Sequence, residues 1–331
     1  MRTKNATGNV RRLASPVLDM TMSWSAKFQD ETTLASLHGL GVRMIGLTVG
    51  SDRTYGPESA SSTIEAITAS IANDPRFIIA RSGADLQYAI DYDLLALELN
   101  FQGIGPLGGD LSNISRFAEL GVRHIGICWN SENAAGGSAT EPYDNGLTSF
   151  GRHAITEMER AGIIVDGAHA GVRTMMEAIE ASTKPFIVSH TNCFAVTPAR
   201  RSVNDDQIKA CAASGGVLGM TGFGNDIGDR QASSAALFKH IDHVVQLVGP
   251  EHVGLGLDFL AKPEVFWEMV EASPQTWPDM EGNPMARCRF YSHDQLTQLE
   301  GLMLAAGYQT AHVRAIFGGN WQRICQAVWT S

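Results

Sequence analysis

Nowhere in these 331 residues does an uninterrupted apolar run approach the roughly 18 that a bilayer-spanning helix needs. The sequence therefore argues against a membrane-embedded chain. Cations are also short: 25 Lys and Arg face 35 Asp and Glu, a formal charge of −10. Nucleic acid and anionic lipid would be repelled rather than gathered, and no basic run interleaved with aromatics offsets that deficit. Cysteines are few and unpatterned. Cys128, Cys193, Cys211, Cys288 and Cys325 are odd in number, widely spaced and without a CxxC pair, which excludes a disulfide framework or a thiolate zinc site. The opening MRTKNATGNVRRLASPVLDM has basic residues but no apolar stretch after them, so the hydrophobic region of a signal peptide is missing. These absences together point to a cytoplasmic protein whose partner is a small molecule.

What is present is an ordinary globular composition, 44% hydrophobic and 18% charged, able to bury a large core. Short apolar runs recur between helix-like segments, the rhythm of βα units around a parallel sheet. The expected strands are 17–21, 42–49, 77–80, 94–99, 122–129, 162–169, 186–190, 216–221 and 253–259. Nine candidates fit the eight strands of a (β/α)8 TIM barrel with one to spare. IIVD, FIVSH and VGLGLDF read as continuous apolar runs, as strands buried on both faces should. Barrels of this length commonly form one domain, so residues 1–331 are expected to form a single barrel. Leu40 to Gly46 and Leu120 to Gly126 differ at one position only, and each marks a helix ending at Gly and turning into a strand. Residues 261–291 break the rhythm. Pro263, Pro274, Pro278 and Pro284 alternate there with Phe266, Trp267, Trp277 and Met280, the pattern of a long irregular loop over the active face. Two amphipathic helical stretches, 293–306 and 310–328, close the chain.

Active sites of such barrels are built from residues at the C-terminal ends of the strands. The sequence places Gln102, Trp129, Asp166, His169, His190, Arg200, Arg201 and Asp258 there. His169 and His190 each follow an apolar strand and could aim two imidazoles at one zinc ion; two hydrogen-bonded histidines in a polar mouth fit the spacing equally well. Asp258 could carry a proton or ligate metal, its rival role being a helix cap. Arg200 and Arg201 could clamp a carboxylate or form a solvated basic loop. Asp166 could orient His169 or cap the next helix. His38, His240 and His243 sit in helix-like segments and read as packing or surface residues.

Several of these segments, VDGAHAG, PFIVSHTN, the Arg200-Arg201 pair and VGLGLDF, together with GLTSFGRHAITEMERAGIIVDGAHAG and GGNWQRICQAVW, resemble the membrane (renal-type) dipeptidase family in order and spacing. The likeness runs from about Leu94 to the end and is weaker before it. It implies a zinc-dependent barrel of the metal-dependent amidohydrolase type that cleaves dipeptides, with a water bridging two metals. It also implies that His169 and His190 are metal ligands, that Arg201 holds the substrate carboxylate, that Asp258 is the active-site aspartate, and that a homodimer forms. Other positions depart from the family pattern. Thr21 and Ser23 stand where a His-x-Asp ligand pair belongs, Gln102 where the bridging glutamate belongs, and Trp129 where a substrate-binding histidine belongs.

Thr, Ser and Gln bring no charge to offset the repulsion of two adjacent cations. The expectation is therefore a divergent metallohydrolase with a single zinc on His169 and His190, completed by Gln102 or Asp258. It would cleave an amide or related C–N bond of a small carboxylated substrate held by Arg201, with Arg200 and Trp129 also at the substrate and Asp258 as proton shuttle. The alternatives are a metal-free acid/base lyase or isomerase on the same scaffold, and a barrel that binds a small molecule without turnover.

Overall fold

The computed structural model describes residues 15–25, 27–52, 54–279, 281 and 285–329. Met280 and Pro284, named above within the long loop, lie outside the described residues, as does the start of the chain. Nine parallel strands appear: β1 (Val17–Ser23), β2 (Val42–Ser51), β3 (Phe77–Ile79), β4 (Leu95–Gln102), β5 (Val122–Gly126), β6 (Ile164–Asp166), β7 (Ile187–Thr191), β8 (Val217–Met220) and β9 (Val253–Leu255). Following the hydrogen bonds from β1 through β2, β4 and on to β9 returns to β1, so eight strands close a barrel. The spare is β3. It pairs only with the first residues of β4, while β2 pairs with nearly all of that strand.

Helices lie between successive strands, as the parallel connection requires. The repeated LGVR segments do the same job twice. Gly41 and Gly121 end their helices at φ 99° and 105°, a conformation that costs glycine little. Arg43 and Arg123 then donate to carbonyls of the preceding helix, those of His38 and Ala118. Such cation contacts suit a helix C-terminus.

One end of the barrel is plugged by carbon. Leu18, Met20, Met44, Ala96, Ile187 and Val217 meet Trp321, Ile324 and Val328 from the final helix, Asn320–Val328. Trp321 Nε1 donates to Leu255 O at 2.9 Å. A Cβ on Gly254 would come within 2.4 Å of that indole nitrogen, and one on Gly256 within 1.8 Å of Ser189 O, so both glycines of VGLGLD are demanded by close packing. The opposite, C-terminal end is covered by described residues of the 261–291 segment, Phe266, Met269, Trp277, Met285 and Phe290 among them. That stretch is less irregular than its prolines suggest: Pro263–Ala272 is a helix with Pro263 in its first turn, where a missing N–H leaves no bond unmade. Among the described residues no helix is long and apolar enough to cross a membrane.

Candidate active site

His169 and His190 meet at the open end of the barrel with Nε2 to Nε2 3.0 Å apart. The strand carrying His190 delivers it directly, whereas β6 stops at Asp166 and His169 sits in the turn beyond, at φ 69°. Asp258 likewise lies past the end of β9, at φ 50°, its N–H bonded to Thr21 O. A left-handed backbone at a residue with a Cβ costs about 1 kcal/mol and persists only where the surroundings enforce it. Two of the four such residues described are site residues.

Hydrogen bonds fix which ring nitrogen of each histidine carries the proton. Asn130 donates Nδ2 to Thr276 O, which can only accept, so its Oδ1 faces His169 Nδ1 at 2.7 Å and accepts from it. Ser189 donates its hydroxyl to Asp166 Oδ2 at 2.6 Å, leaving Oγ to accept from His190 Nδ1 at 2.8 Å. Asp166 thus supports His190 through Ser189, not His169 as the sequence spacing suggested. Its Oδ1 takes the N–H groups of Ala168 and Ser189. With both Nδ1 atoms protonated, both Nε2 atoms present lone pairs to each other. Burial, reinforced by the nearby positive charge of Arg201, holds both imidazoles well below their usual pKa, so both are neutral.

A third chain of bonds ends at Gln102. Asn100 donates to Glu98 Oε2, Thr48 donates to Asn100 Oδ1, and Gln102 Nε2 donates to Thr48 Oγ1, at 3.0, 2.9 and 3.2 Å. The carboxylate at its foot sets the direction of the chain, leaving the oxygen of the Gln102 amide as its acceptor end. Deeper in the barrel His124 Nδ1 lies 3.1 Å from Glu98 Oε2, off the line of a directed hydrogen bond, and Nε2 lies 3.8 Å from Asp166 Oδ2. Burial opposes the charged imidazole there, but the two carboxylates outweigh it and raise its pKa.

These groups open onto a cavity of about 340 Å³ lined by His169, Gln102, Trp129, Arg201, Asp226 and Asp258 among others. Thr21 stands 3.3 Å from His190 Nδ1, and Ser23 lines the cavity. The Trp129 ring lies 6.1 Å from that of His169. Arg201 reaches His190 O at 3.5 Å, and its Nε is buried without a partner. Arg200 instead bonds Asp279 O and Thr140 O and lines a neighbouring cavity with Arg201. Asp258 lines the first cavity. Burial there pushes its carboxyl up to about 6, with Asp19 and Asp226 adding to the shift and Arg201 opposing it. Asp226, which the sequence reading missed, is buried beside Arg201 with its pKa also raised by burial.

Among the described residues no group of three or more His, Cys, Asp or Glu side chains could hold a metal ion. The supporting residues had weak sequence signals. Glu98, Asn100 and Gln102 alternate along LALELNFQ, which puts three polar residues on one face of an apolar strand. Asn130 and Ser189 merely adjoin Trp129 and His190. Asp226 lies in the loop after β8, six residues past Met220, too far from the strand end for position alone to mark it. His293, placed above in a structural helix, is buried and bonds Asp19 Oδ2 at 2.8 Å. His240 is buried with Nδ1 accepting from Cys193 N, and His243 pairs with Asp205.

The chain can be compared with known proteins on this geometry. An uncharacterized dipeptidase from Schizosaccharomyces pombe is 31% identical over 218 residues, 63% of this chain and 50% of that protein. A dipeptidase from Aspergillus oryzae is 30% identical over 205 residues, 59% of this chain and 48% of its own length. The chain thus spans about half the length of these two relatives. An uncharacterized protein in the pqqA 5′ region of Klebsiella pneumoniae is 26% identical over 266 residues, 77% of this chain and 90% of that protein. The fold matches the crystal structure of an amidohydrolase from Pseudomonas aeruginosa at TM-score 0.85 and 24% identity, over 95% of this chain and 97% of that one. It also matches a metallo peptidase from Rhodobacter sphaeroides liganded with a phosphinate mimic of the dipeptide L-Ala-D-Ala, at TM-score 0.75 and 18% identity, over 95% and 99%. The model of the membrane dipeptidase family, peptidase family M19, matches residues 58–277, and the chain belongs to that family.

Proposed function

We propose that this protein hydrolyses an amide or related C–N bond of a small carboxylated substrate, using one zinc ion held by His169, His190 and the amide oxygen of Gln102. The observation that carries the reading is the pair of Nε2 lone pairs facing each other at 3.0 Å. Such a pair repels unless a cation lies between, and burial with Arg201 works against that cation being a proton. Neutral imidazole is the form zinc takes. The 3.0 Å spacing of the two nitrogens would let His169 and His190 hold one such ion together. The donor set contains no carboxylate, so nothing in it offsets the repulsion of a second cation. One ion fits better than two.

When bound, zinc supplies Lewis-acid activation of water and of the scissile carbonyl. The remaining work falls to the chain. Arg201, with an unpartnered donor in a largely buried setting, pairs with the substrate carboxylate and fixes the amide relative to the histidines. Asp258, poised near pH 6, accepts a proton from the attacking water and returns it to the leaving nitrogen. Trp129, edge-on to Trp277 at 5.9 Å, fills space beside His169 and narrows the pocket. The names of the fungal relatives and the dipeptide mimic in the bacterial neighbour support a bond between amino-acid-sized groups.

The test is a panel of dipeptides and N-acyl amino acids incubated with the protein as purified, after chelation, and after zinc is returned, with free amine measured. At least one class should be cleaved, lose cleavage on chelation and regain it with zinc. No amine released from any member with zinc supplied would overturn the reading.

A further inference from the structure

Much of the cavity wall is aromatic carbon. Thr21, Ser23 and Gln102 stand at the ends of β1 and β4. Trp24 and Tyr55 follow on the β1 and β2 loops, Trp129 on the β5 loop, and Phe266, Trp277 and Phe290 come from the covering segment. The rings brace one another edge to face. Trp129 meets Trp277 at 5.9 Å and 80°, Phe266 meets Trp277 at 5.8 Å and 76°, and Phe266 meets Phe290 at 5.5 Å and 87°. Edge-to-face contacts of this kind are the favoured geometry for aromatic pairs, so the wall is a set surface rather than a collection of loose side chains.

The space is also larger than the chemistry alone requires. A water takes about 30 Å³ of liquid volume, and the cavity measures about 340 Å³. Ligand sites are mostly apolar with a few polar groups fixing orientation, and here the candidate chemical groups are His169, Arg201, Asp226 and Asp258, while Lys27 and several hydroxyl side chains also line the wall.

We infer that the substrate is an amide joining a carboxylated residue, held at Arg201, to a large apolar or aromatic group seated against Trp24, Tyr55, Phe266 and Trp277. The position of the scissile bond rests on the hydrolase reading above; the apolar pocket does not. Small dipeptides such as those of two alanines would leave the aromatic wall wet, and bind weakly for that reason.

Titration calorimetry on the protein as purified, with carboxylates that carry no amide to cut, separates the two ideas. Acetate, butyrate, 4-phenylbutyrate and 6-phenylhexanoate keep the charge and lengthen the apolar arm. Kd should fall roughly 10- to 100-fold from butyrate to the phenylalkanoates, as burial of a phenyl group implies. A flat series overturns the inference. 4-Phenylbutanol, with the same arm and no charge, should bind more weakly than 4-phenylbutyrate; equal binding removes Arg201 and overturns the orientation. A graded series with no matched amide cleaved supports the pocket and overturns only the hydrolase reading. Cleavage with a flat series does the reverse.

Discussion

Asp258 carries opposing demands on stability and on chemistry. Its carboxyl titrates near 6 in the folded chain against 3.8 as a free side chain, held up by burial and by Asp19 and Asp226, with Arg201 opposing. Between those values the folded state binds more protons than the unfolded one, so stability falls as pH rises from about 4 to 6 and the cost persists above that. Asp258→Asn removes the cost. The variant should be more stable than the parent at pH 7.5 by about 1–3 kcal/mol, read by urea denaturation, and no more stable at pH 4. It should also lose at least ~100-fold in kcat. A variant no more stable at neutral pH would show that Asp258 is not held protonated by its surroundings. In the parent, kcat/KM should rise through pH 6 as the carboxylate becomes available to accept a proton. The two adjacent arginines are separable in the same way. Arg201→Ala should raise KM for carboxylated substrates more than it lowers kcat, whereas Arg200→Ala, whose guanidinium bonds loop carbonyls, should leave KM within about twofold. An unchanged KM for the first and a raised one for the second would reverse the assignment.

At the scale of elements, the strands hold a set of directed hydrogen-bond chains, and each ends in a lone pair at the barrel mouth. The chain from Asp166 through Ser189 to His190 runs between β6 and β7 and sets the ring's tautomer, a support that metal-ligating histidines commonly have. Asp166→Asn offers Ser189 an amide in place of a carboxylate and should weaken zinc affinity roughly 10- to 100-fold, measured by competition with a chromophoric chelator. Unchanged affinity would mean that Ser189 holds His190 without help. These chains also show what the sequence could and could not reveal. All nine strands were legible as apolar runs, because a strand buried on both faces admits little else. Their ends were not: readings that ran to His169 and Phe259 overshot β6 and β9, since the residues just beyond, as far as His169 and Leu257, are buried like the strands themselves. The role of β3 was equally hidden, for Phe77–Ile79 is as apolar as its neighbours and only the pairing of β2 with β4 excludes it from the ring. The LGVR repeat was legible as two junctions, and its one difference turns out to be chemical. Met44 lies in the apolar plug, while His124 takes the equivalent place between Glu98 and Asp166.

For the whole molecule, the division between the two barrel ends explains why the site residues could be picked out and their supports could not. One end is closed by carbon around Trp321, and the other opens onto a cavity lined by Ser23, Gln102, His169, Arg201 and Asp258. His169, His190 and Asp258 could be placed at that end from their strand positions, whereas Arg201 was set apart from Arg200 only by the family resemblance. Asn130, Ser189 and Asp226 act through neighbours brought close only by barrel closure, and no local pattern marks them. The same closure brings together two facing imidazoles and a neutral amide, on which the proposal of one zinc ion rather than two rests. Elemental analysis of protein purified without chelators, alongside His169→Ala, tests it most directly. The account predicts about one zinc per chain in the parent and little in the variant. Two metals per chain, or none retained even after zinc is supplied, would contradict it.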